Sequence, residues 1–170
     1  MADNLLEQYL TEMGKNRGIG VPETSFYPAL KELLNGAGKT LNPKVHCVIH
    51  PANRGAGIPD GGLFSAEQIK NLKTIPSSTN PFLVQSPARG VVEAKPLDEE
   101  LTSTIRTLQV ERYLKKYGLV LMTNFRAFAL AGLDQVGKPQ VLEEFSLARS
   151  ESEFWQLAAH PRKTEAEYGD

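Results

Sequence analysis

Apolar residues recur at helical spacing near the start of the chain, at Leu5, Leu6, Tyr9, Leu10 and Met13. They predict a first helix ending near Gly14 and Gly18. A second helix is read in "ETSFYPALKELLNGAG". Ser25 caps it, Pro28 is tolerated in its first turn, and Phe26, Leu30, Leu33 and Leu34 share one face. Asn35 and Gly36 are read as its end. The period then changes from helical to alternating. "PKVHCVIH" reads as a strand with Val45, Cys47 and Ile49 on one side, and "NRGAGIPDGGLF" turns into a second strand near Ile58.

A short helix, "AEQIKNL", and a surface excursion, "PSSTNP", lead to a third strand in "RGVVEAKP". "TSTIRTLQVERYLKKYG" reads as one helix whose stripe runs through Ile105, Leu108, Gln109, Arg112 and Tyr113. "LVLMTN", "FRAFALAGLD" and "PQVLEEFSL" are three further strands. Ser150, with Glu153 three residues on, forms a capping box that opens a last helix. The polar tail "HPRKTEAEYGD" reads as a linker. No internal repeat is present. The order predicts an α/β domain around one central mixed β-sheet flanked by helices.

Composition narrows the function classes. The chain has 170 residues, 41% hydrophobic and 23% charged, the size and balance of one globular domain. No apolar run approaches a membrane span, and the start lacks the order of a signal peptide, so the cytoplasm is the expected location. A single cysteine, Cys47, rules out an internal disulfide and a cysteine-rich zinc site, and its alternating neighbours make it a core residue. The net charge of −1 is low for a domain that grips nucleic acid unaided.

The candidate chemistry sits in "GIPDGGLF" and "GVVEAKP". Residues two apart on a strand share a face, so Glu93 and Lys95 stand side by side while Val92 and Ala94 point the other way. Asp60 supplies a second carboxylate, among glycines expected to leave its surroundings open. Gln109 and Tyr113, four apart on the following helix, share one of its faces. Two carboxylates and a strand carbonyl form the oxygen-rich set that Mg²⁺ prefers. A neighbouring lysine orients or deprotonates the attacking water, or steadies charge on a phosphate. Together these suit hydrolysis of a phosphodiester.

These residues carry a resemblance. Pro59–Asp60 and "EAK" at Glu93 to Lys95, with the acids 33 positions apart, are similar to the PD-(D/E)XK nuclease signature. "QVERY", Gln109 to Tyr113, resembles the Q-x-x-x-Y element of its RecB-like branch. With "ETSFYPALKELLN", "NRGAGIPDGGLF" and "LVLMTNFRAFAL", residues 22–148 resemble the amino-terminal nuclease domain of single-chain restriction-modification enzymes, in which an adenine methyltransferase follows.

The resemblance implies a restriction-endonuclease-like core over 22–148, an amino-terminal helix over 1–20, and a carboxy-terminal helix and linker over 149–170. It implies a metal-dependent deoxyribonuclease using Mg²⁺, with Mn²⁺ as substitute. Asp60, Glu93 and the Ala94 carbonyl would hold the metal, with Glu23 a further family acid near it. Lys95 would be the base or charge stabiliser, while Gln109 and Tyr113 would shape the site or touch DNA. The implied partners are double-stranded DNA, the downstream methyltransferase and specificity regions of the same polypeptide, and a second nuclease domain paired transiently on DNA. Arg54, Arg89, Arg112 and Lys116 are candidate phosphate contacts. Two other readings stand beside it, a silent DNA-binding module of the same fold and a stand-alone repair nuclease. His46, His50 and His160 are read as structural or surface residues. "GAGKT" lacks the phosphate-loop frame.

Overall fold

The protein is described by a computed structural model over residues 4–20, 23–49 and 57–168. It is an α/β fold. A six-stranded mixed sheet has its strands side by side in chain order. They are β1 (Val45–Ile49), β2 (Gly61–Ser65), β3 (Val91–Ala94), β4 (Val120–Thr123), β5 (Ala127–Leu133) and β6 (Pro139–Ser146). Neighbours run antiparallel except β3 and β4, which are parallel. A parallel pair needs a crossover. Here it is made by α5 (Leu101–Thr104) and α6 (Leu108–Tyr117).

Each face of the sheet has its own core. One gathers residues of α1 (Leu5–Asn16), α2 (Tyr27–Thr40) and α7 (Glu151–Ala158) around Val92, Ala94 and Phe125. The other packs Val110, Tyr113 and Leu114 of α6 on Val91, Val120 and Met122. Strand alternation therefore assigns Val92 and Ala94 to the first face and Val91, with Glu93, to the second. All four residues of β3 are buried. The expected central strand is central.

α2 does not stop at Asn35 and Gly36 but continues to Thr40. Asn35 instead bonds the edge of β1, its Nδ2 donating to Cys47 O and its Oδ1 accepting from Cys47 N, each at 3.0 Å. Gly38 is required by proximity, because a Cβ there would run into the Val45 carbonyl. Gly36 lets Leu5 of α1 and Gly38 lets β1 approach α2 closely, needs that local turn signals do not reveal.

The single helix expected over 102–118 is two. Thr107 caps α6 by accepting from Val110 N at 3.3 Å, and the chain bends there. Leu108, placed on the buried stripe by its spacing, is 77% exposed, and the buried face is Val110, Tyr113 and Leu114. β2 begins at Gly61, after Asp60 rather than near Ile58. The short helix expected at "AEQIKNL" forms as α3 (Ala66–Leu72), capped by Ser65, and a short α4 (Pro81–Val84) follows the excursion.

α7 starts as expected, with Ser150 Oγ accepting from Glu153 N at 3.1 Å. It is not the last helix. The supposed linker folds as α8 (Pro161–Tyr168) and packs on α1. Its anchors are polar. Glu165 accepts from Glu7 N at 2.8 Å, and the buried Thr164 hydroxyl bonds to the Leu157 and His160 carbonyls. No apolar stripe announces such a helix. Among the described residues no helix is long and apolar enough to cross a membrane.

Candidate active site

The antiparallel register pairs Gly61 with Val92, so Asp60 lies one step beyond, opposite Glu93. Asp60 Oδ2 accepts the Ala94 main-chain N–H at 2.8 Å and ties the start of β2 to the end of β3. The glycines after Asp60 serve packing rather than openness. A Cβ at Gly62 would come within 2.6 Å of Phe64 and 2.8 Å of Phe82, and one at Gly61 within 3.0 Å of Val48 O. Only a bare backbone lets β2 lie this close, and that closeness sets Asp60 against β3.

Glu93 is 3% exposed. Its Oε1 accepts from Lys95 Nζ at 2.9 Å, while Oε2 is buried with no hydrogen-bond partner in the protein. Burial first, and then the Asp60 charge, push the Glu93 carboxyl up to about 7 despite Lys95. Asp60 is raised as well, chiefly by burial, against the bonds from Ala94 and Tyr27 and the Lys95 charge. Burial works to lower the Lys95 ammonium. The bond to Glu93 and the charges of Glu93, Glu99 and Asp60 together outweigh it and hold the group above its ordinary value.

Glu23 is raised by burial, with a smaller contribution from the Asp60 charge, and accepts from the Tyr27 hydroxyl at 2.9 Å. Among the described residues no three His, Cys, Asp or Glu side chains gather closely enough to hold a metal ion. Glu23 is therefore bonded to Tyr27 and feels the Asp60 charge. Glu23 and Pro96 also line a cleft of about 630 Å³ with Arg17, Ile19 and Trp155.

Tyr113 is buried and takes a bond from Gln109 Nε2 at 2.8 Å. Burial pushes its hydroxyl up to about 12, offset by Gln109 and reinforced by the charges of Glu93 and Asp60. The two residues form a bonded pair within reach of the Glu93 and Asp60 charges. Arg89, Arg112 and Lys116 are exposed, Lys116 lying 5.2 Å over the Tyr117 ring. Arg54 and His50 lie outside the described residues. His160 is exposed, and His46 sits half-buried on β1.

Two contributors escape the sequence reading. Tyr27 is one, though its spacing of four from Glu23 was a visible signal. Arg126 is the other. Its buried guanidinium bonds to Leu97 O at 2.8 Å, Arg149 O at 2.9 Å and Glu100 Oε1 at 2.8 Å. It anchors the chain that leaves Lys95. A lone arginine after "TNF" gives no hint of this.

The raised carboxyls predict a pH dependence. A carboxyl raised from 4.5 to about 7 folds more readily protonated, so its ionisation costs stability as pH rises through that window. Asp60, Glu23 and Lys95 are the charged groups that act on it. The cost is roughly 3 kcal/mol once Glu93 is fully ionised. Glu93→Gln should therefore match the parent near pH 4 and unfold at a higher temperature near pH 8, measured in EDTA. Equal midpoints at both pH values would refute the strain.

No protein-family model matches the chain, and no curated protein matches it. One solved structure, a cryo-electron microscopy structure of a DrdV–DNA complex, aligns with 93% of this chain. The identity is 14% and the TM-score 0.47, and the chain spans 14% of the length of that protein.

Proposed function

We propose that this chain is a divalent-cation-dependent DNA endonuclease domain, the cleavage module of a larger restriction-modification enzyme. The observation that carries the reading is Glu93. A buried carboxylate oxygen without a partner, facing the charge of a second carboxylate, is costly unless a cation completes it. Two carboxylates and a main-chain carbonyl at Ala94 are hard oxygen donors, the set that suits Mg²⁺ or Mn²⁺.

Asp60, Glu93 and Ala94 would hold the ion. When bound, it supplies a fixed positive charge that polarises the phosphate and acidifies water. The protein supplies the rest. β3 carries Glu93, and the Asp60–Ala94 bond ties Asp60, just before β2, to the same strand. Lys95, held protonated by Glu93, favours stabilising phosphate charge over abstracting a proton. Gln109 and Tyr113 wall the site on the α6 side and orient the DNA backbone. Arg54, Arg89, Arg112 and Lys116 serve as outer phosphate contacts. With a net charge of −1, most of the grip on duplex DNA falls to other regions of the polypeptide, namely methyltransferase and specificity segments. A double-strand cut calls for two such domains, brought together on DNA.

The test is cleavage of supercoiled plasmid by the protein in its natural polypeptide. Nicked or linear product is expected with Mg²⁺ or Mn²⁺ and none in EDTA. Retained DNA binding with no cleavage under any divalent cation would leave a silent DNA-binding module in its place.

A further inference from the structure

The cleft of about 630 Å³ beside the site holds a cation that the chemistry above does not use. Arg17, at the carboxy-terminal cap of α1, has its guanidinium 4.7 Å from the centre of the Trp155 ring. The ring is itself fixed. Trp155 is 9% exposed, packs on Phe26 and Phe154 with ring centroids 5.9 Å and 5.1 Å away, and donates its Nε1–H to Glu151 Oε1 at 3.1 Å. Three carboxylates, Glu23, Asp98 and Glu151, line the same cleft. Among the described residues none of them forms an ion pair with Arg17, and no acceptor takes its N–H groups. A guanidinium seated on an aromatic ring is thus held in place with its donors unspent, and their planar fork matches a phosphate.

Resting on the nuclease reading given above, we infer that this cleft carries one strand of the DNA away from the site, and that Arg17 takes one of its phosphodiester groups. The cleft adjoins the site through two residues. Pro96 lines it and directly follows Lys95, whose main-chain N–H is tied to Thr123 O at 2.8 Å. Glu23 lines it too and feels the charges of Asp60 and Lys95. A strand with one phosphate at Lys95 therefore meets this cleft next. Among the described lining residues Arg17 is the one cation, and the three acids repel phosphate elsewhere. That contrast favours a phosphate at a single place and so fixes the register of the strand. Contacts of this kind position DNA without reading its sequence. Ile19, 65% exposed, and Pro96 offer the sugar and base an apolar surface alongside.

The experiment measures binding of a fluorescein-labelled duplex by anisotropy, in EDTA and over a range of salt, with the protein in its natural polypeptide. The parent is compared with Arg17→Ala and Arg17→Lys, and plasmid cleavage with Mg²⁺ is run beside it. Arg17→Ala should weaken binding by about tenfold at low salt and reduce the salt slope by about 1, on unrelated sequences alike. Arg17→Lys should keep the slope and lose only part of the affinity, since an ammonium has the charge but not the fork. In cleavage, Arg17→Ala should raise KM at nearly parental kcat, because the contact lies away from the reacting phosphate. Its unfolding midpoint should stay within a few degrees, Arg17 being exposed. Parental affinity and slope in Arg17→Ala would overturn the contact, and with cleavage intact the nuclease reading would stand without it. Equal losses in both variants at a parental slope would reduce Arg17 to a cover for Trp155 and overturn it as well. A reduced slope in Arg17→Ala, in a protein that cuts with no divalent cation, would uphold the DNA contact and remove the nuclease reading instead.

Discussion

Replacing Asp60 is expected to abolish DNA cleavage while leaving the fold in place. On the proposed reading Asp60 has two tasks, and they separate by variant. One oxygen accepts the Ala94 N–H at 2.8 Å, joining β2 to β3. Its charge, with that of Glu93, makes the site attractive to a cation. Asp60→Ala removes both. A buried N–H left without an acceptor costs about 1–3 kcal/mol. Against that, loss of the Asp60 charge relieves Glu93, whose carboxyl it helps to raise. The two terms oppose each other, so the unfolding midpoint should shift by only a few degrees. Asp60→Asn keeps an oxygen for Ala94 and loses only the charge. It should be as inactive as the alanine variant and at least as stable. For both, the loss should exceed the roughly 10²–10³-fold that follows removal of one charge-stabilising group, because the cation itself is no longer held. Calorimetry with Mn²⁺ beside a plasmid assay checks this. Parental cutting by Asp60→Asn would refute the cation site.

The same residues explain what the sequence made legible. Alternation on β3 depends on local geometry alone, so the shared face of Glu93 and Lys95 and the opposite face of Val92 and Ala94 could be read directly. The six strands were legible for the same reason, being short apolar runs between glycine and proline signals. Their pairing was not. The parallel β3–β4 pair and the register that sets Asp60 opposite Glu93 depend on contacts between distant segments. Glycines misled in two places. Gly36 sits inside α2, and Gly61 and Gly62 admit close neighbours, so each answers a tertiary demand where a turn or an opening was expected. α8 escaped because its anchors are hydrogen bonds from Glu165 and Thr164 rather than an apolar stripe. The carboxylates of the site were legible as types. Tyr27, which bonds Glu23 beside them, belongs to a folded arrangement no single motif carries.

Lys95→Ala should separate cation binding from catalysis. Lys95 is not a carboxylate, so its loss leaves the oxygen donors of Asp60 and Glu93 in place. It does change the proton balance of Glu93. The Lys95 ammonium, 2.9 Å from Glu93 Oε1, lowers a carboxyl that burial raises to about 7. Without it that carboxyl rises further, and a cation must then compete with a proton. Mn²⁺ affinity in Lys95→Ala should accordingly weaken near neutral pH and recover at about pH 8.5, where Glu93 is again ionised. Cleavage should not recover with it. At saturating Mn²⁺ and alkaline pH the variant should stay about 10²–10³-fold slower, since the group proposed to meet the developing phosphate charge is gone. Glu93→Gln provides the opposite pattern, with weak cation binding at every pH because no titration can restore its charge. Rate and affinity recovering together in Lys95→Ala would show that Lys95 serves only to keep Glu93 ionised. A rate deficit that persists after the affinity returns assigns Lys95 to the reacting phosphate.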